Sequence, residues 1–540
     1  MNLLKIEKYH ILILVILSLM LFFWKINAIP LTDGDSAFYA KVAKNIVETG
    51  NWLTMHYGDP NTIIDKPPMF MWLTAASFKI FGINDFAISF WHSIFALAII
   101  IITYQFSRLL FNSQIAFISS LVLLTNAQFF YLARSPLLDI PLTLFTLLAV
   151  YMFYLYERSG KLSYFYLMPV FTALGILTKG PVGLALPALT IFIYLIVKKV
   201  KLPAFKHILG TTLLFFALLL PWYIAEYLVL GQRFLDVLVS YNFGRYIMPV
   251  DSIGSEATKS LPISPQYDFY SYFFQVIVLM IPWSGFIYPA FYYAYKRKEN
   301  ILPVIFSLSV VLFFSLSLNY KVSRYILPAF PAISIIIGKL IYDSLKNENK
   351  SAAKLSIISF WFNLIVILPA LLISTINLYN SFSRIGEYYL PLFMPFISVI
   401  SLSLFTGSIF GLLKRSNTAF SSLISISICS YLILGFSASI YVPKLIPIRD
   451  FCNKIDRMAR SSDAVCQYRG TDAHFMIYYS KHSVIFIKNK QKMIDLILSG
   501  KKVYCITENK EAYKELKGLL KSRIRPLEES ANYTLFTNNQ

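Results

Sequence analysis

Apolar runs of about 20 residues, separated by short polar stretches, recur along the first 440 positions of the chain. A helix needs about this length of apolar sequence to cross the hydrocarbon core of a bilayer. The pattern therefore predicts an all-α polytopic membrane domain of the chain's first 441 residues. We place about thirteen spans, at residues 10–28, 86–109, 114–131, 137–156, 163–178, 181–197, 207–229, 271–293, 301–318, 325–342, 355–376, 390–413 and 419–441.

The composition agrees with a membrane protein and helps to orient it. The chain of 540 residues is 57% hydrophobic and only 14% charged, far below the charge that a soluble protein of this size carries. Its net charge of +21 lies mostly in short loops between spans, and cytoplasmic retention of these loops explains it better than nucleic-acid binding. The first span has no small-residue cleavage site, which predicts an uncleaved signal anchor. A cytoplasmic N-terminus places the basic loops together on the cytoplasmic side, as the positive-inside tendency requires.

An odd number of spans places the polar tail on the outer, periplasmic side together with the loops 29–85 and 230–270. Alternating strand-like and helix-like segments in the tail predict a small α/β domain over residues 442–540. The tail contains no phosphate-binding glycine loop and no Cys/His spacing typical of a metal site. The chain's four cysteines are too few for a disulfide framework, and a single bridge in the tail is left open.

Two acids directly precede an amphipathic segment in the first outer loop. Between Ser36 and Glu48, apolar positions recur with helical spacing, and Gly50 can end the helix. This pattern predicts a helix that lies on the outer membrane surface. One of Asp33 and Asp35 can cap the helix, which leaves the other acid available for chemistry. The alternative is that both acids only stabilise the helix end.

Further ionisable residues fall at the same outer mouth. Two prolines follow Lys66 and hold it in an extended segment, where it can meet a phosphate as a point charge or simply contact lipid headgroups. Cations on the outer side run against the usual charge bias, and phosphate bound in a protein cavity explains them. Carboxylates among them favour a sugar, an ammonium group or proton transfer. The acids are Asp33, Asp35 and Asp139, and the other residues are Tyr39, Lys66, Arg134, Lys179, Asn242, Arg245, Tyr246, Lys321, Arg324 and Tyr325.

Nine short motifs in a fixed order resemble the GT-C membrane glycosyltransferases of the protein O-mannosyltransferase-like superfamily, and within it the lipid A aminoarabinose transferases. The resemblance covers most of residues 30–335. The motifs are the segment from Asp35 to Trp52, Lys66–Pro67 with Trp72, Phe81–Gly82, Leu138–Asp139 with Pro141, Thr178–Gly180, Pro221–Trp222, Arg245–Tyr246, Pro282–Trp283, and Lys321 with Tyr325 and Leu327.

The resemblance implies transfer of a sugar from a polyprenyl phosphate to an acceptor on the periplasmic or lumenal side. It places the family's first-loop acid on Asp35, while the acid that often follows it is Ser36 here, so that Asp33 would replace the missing charge. It implies a catalytic group of Asp35, Asp139 and Asp33, a phosphate-binding group of Lys66, Lys179, Arg245, Lys321, Arg324 and Tyr325, and a substrate cavity formed by Tyr39, Arg134, Asn242 and Tyr246. No cofactor is indicated, and a divalent metal is left open.

The leading functional hypothesis is an enzyme that moves an amino sugar, such as aminoarabinose or galactosamine, from undecaprenyl phosphate to lipid A. The first alternative keeps this donor and uses a protein or a surface glycan as acceptor. The second is a lipid or drug transporter, which the near absence of charge inside the spans and of an internal repeat makes weaker.

Overall fold

The computed structural model describes residues 7–58, 63–239, 268–297, 300–317, 321–346, 349–382, 388–470 and 473–538. In chain order the first helices are α1 (His10–Phe23), α2 (Gly34–Thr49), α3 (Met69–Phe81), α4 (Asp85–Leu110), α5 (Ser113–Leu124), α6 (Ala127–Arg134), α7 (Asp139–Ser159), α8 (Leu162–Lys179), α9 (Val182–Lys198), α10 (Phe205–Leu230) and α11 (Gln232–Val239). The later helices of the bundle are Ser271–Leu279, Ile287–Arg297, Leu302–Ser315, Phe330–Leu345, Lys350–Phe362, Leu368–Phe382, Tyr389–Leu412 and Ser416–Leu445.

Nine helices within the described residues are long and apolar enough to cross a membrane. This confirms an all-α polytopic membrane protein. A further predicted span, at 114–131, is the pair α5 and α6, which meet at an angle of 67°. The bend has a local cause, because the side chain of Asn126 accepts a hydrogen bond from the Phe129 N–H at 2.7 Å and so caps a new helix. Helix α9 and the helix Leu302–Ser315 are shorter apolar helices.

The structure divides the predicted span at 271–293 into two helices. The first ends at Leu279 and the second begins at Ile287, with a short turn at Ser284–Phe286 between them. Pro282 lies in the gap, where it offers no N–H to a helix and disfavours helical backbone at the residue before it. The segment is apolar throughout, so hydrophobicity alone does not detect the break.

Helix α2 has the ends that the sequence predicts. Asp33 caps it by accepting a hydrogen bond from the Asp35 N–H at 2.9 Å, and it ends at Gly50, whose φ of 73° suits glycine. Its buried face includes Ala40, Val42 and Ile46. Protein covers this face, because α3 and the helix Ala473–Tyr479 pack against α2.

A small α/β unit follows the last span. Its helices are Ile448–Met458, Ala473–Tyr479, Lys490–Leu498 and Lys510–Leu520, and its strands are β1 (Ala464–Tyr468), β2 (Val484–Ile487), β3 (Val503–Thr507), β4 (Ile524–Ser530) and β5 (Tyr533–Asn538). The sheet order is β2-β1-β3-β5-β4, with β1 parallel to β2 and β3, and β5 antiparallel to β3 and β4. All four cysteines of the chain are described as free thiols. The last span continues to Leu445, and the domain division at 441–442 stays a prediction.

Candidate active site

Arg324 joins three aspartates that lie far apart in the chain. Its Nη2 donates to Asp35 Oδ2 at 2.8 Å, and its Nε lies 3.3 Å from Asp139 Oδ2. Its Nη1 lies 3.9 Å from Asp33 Oδ2. The guanidinium has five N–H donors in a rigid plane, which allows one side chain to face several carboxylates at once. We call these four residues the Arg324 cluster.

Lys179 extends the cluster on its buried side. Its Nζ donates to Asp139 Oδ1 at 2.6 Å and lies 4.3 Å from the centre of the Tyr325 ring. Both oxygens of Asp139 therefore face a cation, Lys179 on one side and Arg324 on the other. The sequence predicts a phosphate-binding role for both cations and for Tyr325, whereas in the structure the cations are ion-paired with aspartates.

The position of Lys179 depends on a close approach of two helices. Lys179 ends α8, and Gly180, with φ at 72°, starts the turn into α9. Gly175 and Gly183 face each other across this turn, and a Cβ added to Gly183 would lie 2.1 Å from the Gly175 carbonyl carbon. Only glycine permits this contact between the two backbones. The motif TKGPVG therefore fixes the position of Lys179 relative to Asp139.

The three aspartates differ strongly in exposure. The side chain of Asp139 is 3% exposed, that of Asp33 is 27% exposed and that of Asp35 is 55% exposed. A ligand can therefore reach Asp35, whereas Asp139 is committed to Lys179 and Arg324. Three carboxylates and two cations leave one negative charge, which a positively charged ligand would neutralise.

Burial shifts the protonation of two groups beside the cluster. It raises the pKa of Asp33, an effect that Arg324 opposes and the charge of Asp35 reinforces. Burial also raises the pKa of Tyr39 well above its usual value, and the charges of Asp35 and Asp65 act in the same direction. Tyr39 is therefore a neutral phenol that can donate a hydrogen bond next to these carboxylates.

Lys66, the predicted phosphate-binding lysine of the first loop, lies beside an acid. It contacts Asp65, and its side chain is 16% exposed. Because the charge of Asp65 acts on Tyr39, as do the charges of Asp35 and Asp139, the Asp65–Lys66 pair borders the cluster. Asp65 is absent from the sequence prediction, although it stands directly before the lysine in IIDKPP.

Lys321 lies on the chain just before Arg324 and is buried, with 8% of its surface exposed. Asp268, which the sequence prediction also omits, is the carboxylate whose charge acts on it. The predicted residues Asn242, Arg245 and Tyr246 lie outside the described residues. No group of three His, Cys, Asp or Glu side chains able to hold a metal occurs in the described parts of the chain.

Arg134 does not pair with Asp139. Its Nη1 donates to the Leu21 carbonyl at 2.8 Å, and its guanidinium lies over the Phe130 ring. It lines an apolar cavity of about 370 Å³, which Asp33 and Ser36 also line. Arg134 Nη2 and Ser36 Oγ are buried without a hydrogen-bond partner among the described residues. The predicted substrate-cavity residue Arg134 thus borders a cavity that adjoins the cluster.

Several known proteins and one protein family are similar to this chain. The family described as dolichyl-phosphate-mannose-protein mannosyltransferase matches residues 65–224. An uncharacterized protein of Aquifex aeolicus is 31% identical over 392 residues, which cover 71% of this chain and 73% of that protein. The chain belongs to the GT-C membrane glycosyltransferases of the protein O-mannosyltransferase-like superfamily.

Several relatives carry the name undecaprenyl phosphate-alpha-4-amino-4-deoxy-L-arabinose arabinosyl transferase. The protein of Wigglesworthia glossinidia brevipalpis is 26% identical over 361 residues, which cover 64% of this chain and 61% of that protein. The first such enzyme of Proteus mirabilis is 24% identical over 374 residues, which cover 66% of this chain and 64% of that protein. The matches therefore span less than two thirds of these relatives.

The fold is that of a solved relative. The crystal structure of ArnT from Cupriavidus metallidurans in the apo state superposes with a TM-score of 0.75 at 17% identity and covers 98% of this chain and 97% of that one. The same protein bound to undecaprenyl phosphate gives a TM-score of 0.75 at 16% identity, with 98% of both chains covered. At this identity the likeness shows the fold alone, here a multi-pass helical bundle with a small C-terminal sheet.

Proposed function

We propose that this enzyme transfers an amino sugar from undecaprenyl phosphate to lipid A on the periplasmic face of the inner membrane. The observation that carries the proposal is the Arg324 cluster, which presents the exposed carboxylate of Asp35 beside the guanidinium of Arg324. The donor is supported by the names of the Wigglesworthia and Proteus relatives, which include undecaprenyl phosphate and an amino sugar. The lipid A acceptor is supported by the resemblance of the sequence motifs.

In this mechanism an acceptor oxygen attacks the anomeric carbon of the sugar. The bond between that carbon and the donor phosphate oxygen breaks, and undecaprenyl phosphate leaves with the bonding electron pair. The developing negative charge needs cations near the leaving oxygen, a role that we assign to Lys66 and Lys321, together with Arg245 from the outer loop. Holding both substrates at one mouth of the bundle supplies the remaining gain through proximity.

The role of Asp35 depends on the acceptor. A phosphate of lipid A is already ionised at neutral pH and needs no base. Asp35 can then pair with the ammonium group of the sugar, which would also neutralise the one negative charge left when Lys179 is counted with the Arg324 cluster. This charge favours a cationic sugar over a neutral one. We assign Asp139 and Lys179 the task of holding Arg324 in place.

A protein or surface-glycan acceptor is the second candidate, because the matching family is described as a protein mannosyltransferase. A hydroxyl acceptor must lose a proton, and Asp35 would then act as general base. Such a base contributes about 10²- to 10⁴-fold to the rate. The two candidates therefore differ in what the same carboxylate does.

Reconstituted protein with an undecaprenyl-phosphate amino sugar and lipid A tests the proposal. Mass spectrometry should detect lipid A heavier by one sugar residue, and the Asp35→Asn variant should give little product. Unmodified lipid A together with a glycosylated peptide would overturn the acceptor and favour the second candidate. Movement of the intact donor across the vesicle membrane, without transfer, would overturn the enzymatic proposal and favour a transporter.

A further inference from the structure

The segment that leads into the Asp33–Asp35 pair is held by the C-terminal unit. Tyr479 Oη accepts a hydrogen bond from the Leu31 N–H at 2.8 Å, across 448 positions of sequence. The same hydroxyl donates to Asp85 Oδ1 at 2.8 Å. Leu31 and Asp85 are thus both hydrogen-bonded to one side chain, which belongs to the C-terminal unit and not to the membrane bundle.

A second residue of the C-terminal unit grips the same segment. Arg449 Nη1 donates to Asp85 Oδ2 at 2.8 Å, so both oxygens of Asp85 are bound by this unit. The guanidinium also reaches two backbone carbonyls, that of Asn27 from Nη1 and that of Ala28 from Nη2, each at 3.4 Å. These contacts fix the chain between the end of the first span and the start of α2. Charge-assisted hydrogen bonds of this kind are about twice as strong as neutral ones.

A third contact holds α2 itself. Lys44 is 9% exposed, and its Nζ donates to the Tyr478 carbonyl at 3.1 Å and the Ser480 carbonyl at 3.4 Å. A lysine ammonium can only donate, so two carbonyls satisfy it where it is buried. The rotation of α2, and with it the direction of Asp35 in the first turn, is therefore set from the C-terminal unit.

We propose that Tyr479 and Arg449 are positioning residues, through which the C-terminal unit aligns Asp33 and Asp35 with Arg324. This inference rests on the proposed function, because it assigns those acids a role at the substrate. Leu31 is two positions before Asp33, so a displacement at Leu31 passes directly to the acids. A misplacement of about 1 Å in a catalytic site can lower the rate about 100-fold.

The test compares Tyr479→Phe with Tyr478→Phe in the full-length reconstituted protein. Both substitutions remove one hydroxyl from the same short helix, and only Tyr479 Oη bonds to Leu31 and Asp85. We expect Tyr479→Phe to lower kcat about 10- to 100-fold with an unchanged KM for the donor. Tyr478→Phe should keep the kcat of the unaltered protein. Equal kcat values for the two variants would overturn the proposal.

Two substitutions of Arg449 control for the possibility that a variant loses activity because it unfolds. Arg449→Gln should lower kcat in the same way, and Arg449→Lys should recover part of the loss, because it restores a cation beside Asp85. Combining Tyr479→Phe with Asp33→Asn should reduce kcat by less than the product of the single effects, since both act on one segment. A multiplicative loss would show independent effects and contradict the proposal.

Hydrogen–deuterium exchange separates this inference from the proposed function. Amides of residues 27–38 should exchange faster in Tyr479→Phe than in Tyr478→Phe, whether or not the protein transfers a sugar. Faster exchange without any transferase activity in the unaltered protein would overturn the function and leave the anchoring intact. Unchanged exchange in Tyr479→Phe would overturn the anchoring, even in an active enzyme.

Discussion

Arg324 Nη2 lies 2.8 Å from Asp35 Oδ2, although 289 positions separate the two residues in the chain. The contact joins the first turn of α2 to the short turn Ser323–Ala329, which begins the span that ends at Leu345. The same guanidinium reaches Asp139 at 3.3 Å. One side chain therefore connects an exposed acid, which can meet the substrate, with a buried acid, which cannot.

Arg324→Lys should reduce sugar transfer at least about 100-fold, because an ammonium cannot replace a planar fork that faces three carboxylates. Product formation under single-turnover conditions measures the effect. Arg415→Lys is the control, since Arg415 is exposed and far along the chain from the site. Near-normal transfer by Arg324→Lys would mean that charge alone is needed.

Asp35→Asn should lower kcat more than Asp33→Asn does, because the side chain of Asp35 is 55% exposed and that of Asp33 is 27% exposed. We expect a loss of about 10²-fold or more for Asp35→Asn if it acts as a base. Parallel assays with an amino sugar and a neutral sugar donor separate binding from base catalysis. Loss confined to the amino sugar indicates pairing with its ammonium group. A larger loss for Asp33→Asn would reverse our assignment.

The Asp33→Asn variant should be more stable than the unaltered protein at neutral pH and equally stable at acidic pH. Burial raises the pKa of Asp33 above the usual aspartate value of 3.8, so the folded state binds its proton more tightly than the unfolded state does. The stability cost of ionised Asp33 therefore grows as the pH rises from 3.8 through the folded pKa and is absent below 3.8. Asparagine removes this cost and still caps α2. Thermal unfolding of both proteins across this range should show Tm values that converge at low pH, and a constant difference would contradict the prediction.

Gly183→Ala should destabilise the protein and reduce transfer, because its Cβ would lie 2.1 Å from the Gly175 backbone. Overpacking of this kind costs about 1–3 kcal/mol, and here it also displaces Lys179 from Asp139. Thermal unfolding in detergent and the transfer assay measure the two effects. Gly518→Ala is the control, since a Cβ there meets nothing within 4 Å and should change stability by less than about 1 kcal/mol.

Cysteine labelling tests the orientation. Single cysteines at Lys66 and at Tyr270, an exposed position two residues from Asp268, should react with a membrane-impermeant thiol reagent added outside spheroplasts. A cysteine at Lys198, an exposed position at the opposite end of α9 from the Lys179 turn, should react only after lysis. The background variant lacks the native cysteines, of which Cys429 is exposed. Labelling of positions 66 and 270 from opposite sides of the membrane would rule out a shared site.

Local features of the site follow from the sequence, whereas its pairings do not. Asp33 before an amphipathic run and Gly50 after it predict the ends of α2, because capping depends on neighbours in the chain. The contact of Arg324 with Asp35 depends on how distant helices pack, and the sequence pattern assigns Arg324 to phosphate instead. Asp85 is a similar case. An acid at the start of a span is a candidate functional residue, but the sequence does not show which residue it pairs with.

The hydrogen bond from Leu31 to Tyr479 has a consequence for biosynthesis. The spans can enter the membrane one after another as the ribosome makes them. The hydrogen bond that holds the segment before Asp35, however, can form only after Tyr479 has been synthesised. A truncated product could insert its spans into the membrane and would still lack the hydrogen bond between Leu31 and Tyr479. A chain that ends before Tyr479 would therefore lack the contact to which we assign the alignment of Asp33 and Asp35.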